Sequence, residues 1–472
     1  MLVHTQPARS ATFTGMSFYN RQEEQRRLQR FRSRANPGFA VLYGRRRCGK
    51  STLLRQVMRA HDVYVAAVPG TPTLQRRLVA AALSERFPVV GEYDYQDWHL
   101  LFKTLTRAAT GKRFTLFIDE FPYLAQAGEA LPGILQNLID DRANLPFDLV
   151  LCGSSQRMMH EHILSGTAPL YGRADEILKI RPLQAGWLSE AFPELSPTER
   201  IIEYSIWGGV PRYWELRQLY TSLSEALEQL LFGPLGLLVD EPNRLLLDDL
   251  RDTIQPISIL TVVANGAHRL SEIAGRLGRR GSDLSRGLHR LIELGYLRRE
   301  IPYRVPERNA KRVIYQLEDK FLRFYYRFVY PNKSIIGQQL SADFLSQLIQ
   351  QLPLHTSKVW EELSLLAAAR GAVGGIPFPR AARWWGKNTG GQPMEIDAVG
   401  HSTDGSQLLV MECKWSSLSN EAALRQELLR KARLLPFYKG EEIVAVIAAK
   451  EFTTPTSGPV LEPEGVLGAL RF

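Results

Sequence analysis

The sequence predicts an α/β protein built on a parallel sheet, with helical modules and a smaller α/β unit behind it. Three observations carry that prediction. An apolar run, Phe39 to Tyr43, leads into Gly44-x-x-x-x-Gly49-Lys50-Ser51 and then into a helical pattern. A second apolar run, Phe114 to Ile118, ends in Asp119-Glu120. Further runs near 62–68, 147–152 and 176–180 alternate with helical segments, the order of a sheet covered on both faces.

The first element is a phosphate-binding loop in its strand–loop–helix setting. Its glycines let the backbone curl so that N–H groups point at a polyphosphate, and the next helix adds its positive end. ATP with Mg²⁺ is the expected ligand, cradled by Gly44, Arg45, Arg46, Arg47, Cys48, Gly49, Lys50, Ser51 and Thr52. Lys50 is expected to reach the β- and γ-phosphates, and the Ser51 hydroxyl to hold Mg²⁺. The side chains of Arg45, Arg46 and Arg47 are read as solvated rather than catalytic.

The second element supplies carboxylates. Asp119 is expected in the Mg²⁺ shell, and Glu120 as the base that polarises the attacking water. The strand between the two motifs (62–68) and the adjacent glutamate mark the ATPase branch with an additional strand and a glutamate base. A further strand ends in Gly153-Ser154-Ser155, where Ser154 or Ser155 either bonds the γ-phosphate or caps a helix. Arg173, after Leu170-Tyr171-Gly172, is a candidate arginine finger, in cis or in trans, or a surface arginine.

Composition narrows the class. The chain has 472 residues, 44% of them hydrophobic, and a net charge of +10. That length suggests about three domains. No apolar run approaches a membrane span, and Met1 to Gly15 lacks a signal-peptide core, so a cytoplasmic protein with no membrane partner is expected. Cys48, Cys152 and Cys413 lie too far apart for a CxxC pair and read as reduced thiols.

The excess charge is local. Residues 186–250 read as a leucine-rich helical lid behind an ATPase core over 14–185. Residues 251–335 carry a helix from Ile254, a short helix capped at Ser271 and stopped at Gly278, and a third from Ser282 to Leu294. Two short alternating strands then flank a basic loop, as in a winged helix-turn-helix. Between 269 and 312 stand twelve Lys or Arg, Lys311 among them, against five acids. Double-stranded DNA is the expected partner, through Arg279, Arg280, Arg286 and Arg290; packing between domains is the alternative use. The aromatic helix 320–332 reads as core or interface rather than as a base-stacking surface.

The last unit, 340–472, places Glu361 and Glu362 on a helix, Asp397 on one strand and Glu412 with Lys414 on the next, joined by a turn around Asp404-Gly405. Glu412 and Lys414 are two apart and share a face. Two carboxylates and a lysine around one point suit Mg²⁺ binding and phosphodiester hydrolysis.

Phe18-Tyr19-Asn20-Arg21, the phosphate loop, Ile118-Asp119-Glu120-Phe121, Gly153-Ser154-Ser155 and Gly208-Gly209-Val210-Pro211 follow one another in an order that resembles the archaeal-type ATPases, relatives of AAA-plus and STAND proteins. The resemblance implies that Phe18 to Glu24 borders the adenine pocket and that Gly209-Val210-Pro211 sits in a lid below the nucleotide. The C-terminal unit resembles the PD-(D/E)XK nucleases. That implies Asp397, Glu412 and the helix residue Glu361 (with Glu362 as rival) as metal ligands, and Lys414 as the group that positions water. Two readings follow: an ATPase coupled to DNA binding and cleavage, or a nucleotide-controlled switch with an inactive nuclease-like domain. A homo-oligomer is expected if Arg173 acts in trans.

Overall fold

The computed structural model describes residues 18–127, 130–233, 235–250, 252–309, 312–336 and 342–472. Met1 to Gly15 and Lys311, both read from the sequence, lie outside them. Five strands, β1 (Phe39–Tyr43), β2 (Val63–Ala66), β3 (Phe114–Asp119), β4 (Phe147–Gly153) and β5 (Glu176–Lys179), form one parallel sheet in the order β2-β3-β4-β1-β5. The phosphate-loop strand and the acidic strand are therefore not neighbours; β4 lies between them, and the additional strand β2 pairs with β3. β3 and β4 are buried at every residue, whereas the edge strands β2 and β5 alternate. Along β1, Ala40 and Leu42 join one core and Phe39 and Val41 the other, the period-two signature of a sheet packed on both faces.

Helices Pro197–Trp207 and Pro211–Arg217 follow, and then Glu241–Asp249, the connector helix. Three helices come next, Ile254–Ala264, Leu270–Leu277 and Gly281–Glu293, then an antiparallel pair, β6 (Leu297–Glu300) and β7 (Ile314–Leu317). Order and type match the sequence reading. Gly278 stops the second helix at φ 60°, but Ser271 lies inside it. The Glu272 carboxylate instead accepts from the His268 and Arg269 amides and closes that helix start. The aromatic segment after β7 is core: Phe321, Phe324, Tyr325 and Tyr326 are all fully buried.

The C-terminal sheet has the order β12-β11-β10-β9-β8: β8 (Ala382–Lys387), β9 (Pro393–His401), β10 (Gln407–Leu418), β11 (Glu442–Phe452) and β12 (Val460–Leu461). β8, β9 and β10 run antiparallel, β10 and β11 parallel. The long helix Ala342–Ala369 packs on β10, and the Trp360 indole donates to the Ala448 carbonyl at 3.2 Å. One apolar core runs unbroken from a face of the first sheet, through the helices, to a face of the last. No described helix is long and apolar enough to cross a membrane.

Candidate functional site: a nucleotide cleft and a carboxylate cluster

A cleft of about 300 Å³ opens at the carboxyl end of β1. It is lined by Arg46, Arg47, Cys48, Gly49, Lys50, Ser51 and Thr52 from the loop, and by Glu120 and Ser154. Phe18, Tyr19 and Arg21 border it on one side, and Pro211, Arg212 and Glu215 on another. The loop curls because of two glycines that serve different needs. Gly49 adopts φ 85° in open space, so its conformation is what excludes other residues. At Gly44 a Cβ would lie 2.2 Å from the Ile180 carbonyl oxygen, so close approach excludes them. Non-glycine residues with positive φ are rare in the described chain, and four of the five, Asn20, Arg21, Arg47 and Glu120, are at this cleft or next to it. Such backbone costs about 1–3 kcal/mol per residue and persists where surrounding contacts enforce it.

Lys50 donates to the loop's own carbonyls, Gly44 at 2.8 Å and Arg45 at 2.9 Å, so its ammonium is held over the curl. Arg21 fastens the loop from outside, donating to the Cys48 carbonyl at 3.1 Å and the Arg181 carbonyl at 2.6 Å. Glu120 Oε2 accepts from the Ser154 amide at 3.1 Å and the Ser154 hydroxyl at 2.9 Å. Asp119 accepts from the Glu120 amide and, at 2.5 Å, from the Tyr64 hydroxyl of β2. Burial, then the Asp119 bond, raises the Tyr64 phenol, while a bond from Ser51 opposes the rise. The Tyr64 hydroxyl thus stands between Ser51 and Asp119, the two predicted Mg²⁺ ligands. Both offer oxygen donors of the kind that Mg²⁺ takes, and the Tyr64 hydroxyl meets both.

The arginines correct the sequence reading: none of the three in the loop is simply solvated. Arg45 turns away from the cleft into an ion pair with Asp319 and bonds the Tyr213 hydroxyl. Arg46 pairs with Asp248 at 2.9 Å and Arg47 with Glu241 at 3.0 Å, both on the connector helix. The acids lie roughly 200–270 residues further along the chain, so no local pattern could have exposed the pairs. Arg173 does not line the cleft. It is held by both Asp140 oxygens, at 2.8 and 3.0 Å, and by the Pro169 carbonyl. Ser155 caps the following short helix and also donates to the Asp248 carbonyl.

In the C-terminal unit, Asp397 and Glu412 stand on adjacent antiparallel strands, and the Cys413 amide donates to Asp397 at 2.8 Å. Burial, then the charges of Glu361 and Glu412, push the Asp397 carboxyl up to about 6. Lys414 Nζ lies 2.7 Å from Glu412, as their shared face predicts. The two helix glutamates differ in their charge surroundings. Burial alone would raise the Glu362 carboxyl, but Arg298, Arg323 and Lys320 around it outweigh that and hold it well below the usual range. Glu361 pairs with Lys358, and its charge reaches Asp397. Among the described residues no three His, Cys, Asp or Glu side chains converge closely enough to hold a metal ion as they stand.

Residues 18–216 match a family described as an ATPase domain predominantly from Archaea. That segment is an ATPase domain. Residues 325–425 match a family of archaeal and bacterial proteins of unknown function. A protein of Methanocaldococcus jannaschii described as uncharacterized is 29% identical over 445 residues, 92% of this chain and 96% of that one. The similarity to that relative thus extends beyond the ATPase domain over most of both chains. A Walker-type ATPase of Pyrococcus abyssi shares the fold, with a TM-score of 0.51 and 20% identity over 66% of this chain and 96% of its own.

Proposed function

We propose that this ATPase turns over ATP in the cleft described above and couples its nucleotide state to engagement of double-stranded DNA. In the cleft Lys50 carries the β- and γ-phosphate charge, and Glu120, oriented by Ser154, takes the proton of the attacking water. Ser51 and Asp119 would hold Mg²⁺, which supplies charge neutralisation on the phosphates. The observation that carries the DNA reading is the helix Gly281–Glu293 and its approach. Arg279, Arg280 and Arg286 are exposed there and, among the described residues, have no acidic partner. Helix, turn, helix and hairpin follow in winged-helix order, which presents that helix to a major groove. Fluorescence anisotropy with duplex DNA in low salt tests it. Replacing Arg286 and Arg290 by Glu is expected to weaken binding at least tenfold; equal affinity would remove the reading.

For the C-terminal unit, the carboxylates Glu361, Asp397 and Glu412 with Lys414 support a PD-(D/E)XK-like site for metal-dependent strand cleavage. The raised Asp397 carboxyl fits a cluster in want of a cation. One observation favours a second reading, a switch whose nuclease-like domain is inactive: Lys414 is engaged by Glu412 at 2.7 Å. Supercoiled plasmid with Mg²⁺ or Mn²⁺, with and without ATP, separates the two. Nicking that is lost in Asp397→Ala and Lys414→Ala supports the nuclease, and an intact plasmid throughout supports the switch.

A further inference from the structure

The Arg46 side chain is placed for more than holding the loop. It lines the nucleotide cleft beside Lys50, Glu120 and Ser154. Its Nη2 donates to the Tyr123 hydroxyl at 2.9 Å, and its Nε points at the Ser154 hydroxyl at 3.4 Å. That hydroxyl in turn donates to Glu120. The guanidinium is therefore one hydroxyl away from the carboxylate that receives the water proton. Its remaining contact is with Asp248 at the end of the connector helix. Asp248 Oδ2 is buried and, among the described residues, accepts no hydrogen bond, so that contact is a charge pair without hydrogen-bond alignment. Asp249, Glu120 and Glu241 crowd the same carboxylate.

We propose that Arg46 is the phosphoryl-stabilising arginine of this ATPase, acting in cis, and that Asp248 is its competitor. The inference rests on ATP occupying the cleft as read above. A γ-phosphate offers the guanidinium an aligned, charge-assisted fork that Asp248 does not. A ligand shifts a conformation only through such a difference in affinity between two arrangements. In the reaction the water oxygen bonds to the γ-phosphorus and its proton goes to Glu120. The bond from that phosphorus to the β–γ bridging oxygen breaks, and ADP leaves with the electron pair. Arg46 bears on the charge of the transferred group, the part that Arg173, held by Asp140, does not reach within one chain.

The transfer also has a mechanical output. The end of the connector helix is gripped from both sides. Gln156, just past the cleft, donates its amide to Asp249 at 2.9 Å and its side chain to the Leu294 carbonyl at 2.7 Å. The Tyr296 hydroxyl donates to Asp249 at 2.9 Å and to the Leu245 carbonyl at 3.0 Å. Leu294 and Tyr296 close the helix that carries Arg286. Release of Asp248 by Arg46 thus loosens one grip on a helix joined to the basic surface.

The test measures phosphate release and fluorescent-ATP binding on the full chain. Arg46→Ala is expected to lower kcat about 100-fold or more, while the ATP dissociation constant moves less than tenfold. Asp248→Asn is expected to raise kcat severalfold, because it removes the competitor. Opposite signs are the readout that a purely structural ion pair would not give; a parallel fall in both variants overturns the proposal, as does wild-type turnover in Arg46→Ala. Activity restored by mixing Arg46→Ala with Glu120→Gln protein would place the arginine in trans and overturn the assignment in cis. If Arg46→Ala does not fold, Arg46→Lys keeps the charge and loses the fork, with kcat expected to fall about tenfold; unchanged kcat overturns. Lys50→Ala is the separate control: wild-type ATP binding in that variant would refute the cleft, not Arg46.

Discussion

Arg45, Arg46 and Arg47 and the trio Arg279, Arg280 and Arg286 are the same side chain in opposite settings. In the phosphate loop each arginine meets an acid on a distant element: Asp319, Asp248 and Glu241. On the three-helix module the arginines are exposed and, among the described residues, form no ion pair. The first group joins parts of one molecule, and the second is left available to a polyanion. Residue type and local charge density do not separate them. What separates them is whether folding brings a carboxylate across a chain separation of 194 to 274 residues.

The comparison breaks or holds first at Asp319. The Arg45 side chain is only 13% exposed, and its ion pair with Asp319 reaches from the loop to the start of the aromatic helix, where Asp319 also caps Leu322 at 2.7 Å. Asp319→Asn keeps a capping oxygen and deletes the charge. Leaving a buried guanidinium unpaired costs about 3–5 kcal/mol. Urea denaturation should therefore show a loss of about 3 kcal/mol. An unchanged midpoint would mean that these arginines are as solvated as their sequence suggests, and the contrast with the surface trio would disappear.

What could be read from the sequence, and what could not, follows the same division. All five parallel strands, the helix–helix–helix–hairpin order and the β9–β10 hairpin were legible, because each rests on apolar periodicity and turn residues within a few positions of one another. The phosphate loop was legible because a contiguous motif carries its own geometry, and the strand ends at Glu120 and Ser154 do line the same cleft, but the bond between those two side chains was not read. Tyr64 was not: it reaches Asp119 across a strand pairing, and a tyrosine in an apolar run signals only burial. Arg21 was read only as part of a segment at the adenine side, whereas its role in the structure is to fasten the Cys48 carbonyl. Glu361 and Glu362 could not be told apart by their positions; the three cations around Glu362 come from β6 and the aromatic helix.

A neutral contact between elements sharpens the contrast at smaller amplitude. His355 on the long helix bonds the Ser205 carbonyl of helix Pro197–Trp207 at 2.8 Å, and its other ring nitrogen is buried with no hydrogen-bond partner among the described residues. Burial, aided by Arg323 and Arg327 and opposed by the Ser205 bond and Glu362, pushes its pKa down to about 3. A depressed histidine stabilises the fold while both states are neutral. That stability is lost as pH falls below the unfolded value of about 6.5, because the unfolded chain then takes the proton first. Between pH 7 and 5 the expected loss is about 2 kcal/mol. His355→Gln should flatten that part of the profile, and an equal slope in wild type and variant would show that the ring is already accessible to protons.

The smallest stability effect belongs to the surface trio, where the comparison predicts almost none. Replacing Arg279, Arg280 and Arg286 by Glu removes no ion pair among the described residues and opens no cavity, so the unfolding free energy should change by no more than about 0.5 kcal/mol. The same variant should lose DNA affinity steeply in low salt. The slope of log affinity against log salt should also flatten by up to about 0.9 for each phosphate contact removed. The two readouts must diverge, a nearly unchanged fold with a changed salt slope, because a charge that stabilises nothing inside the molecule can act only on something outside it. A variant that unfolds would reveal partners for these arginines within the chain. A variant that folds and keeps the wild-type salt slope would leave the basic face without a polyanion to meet.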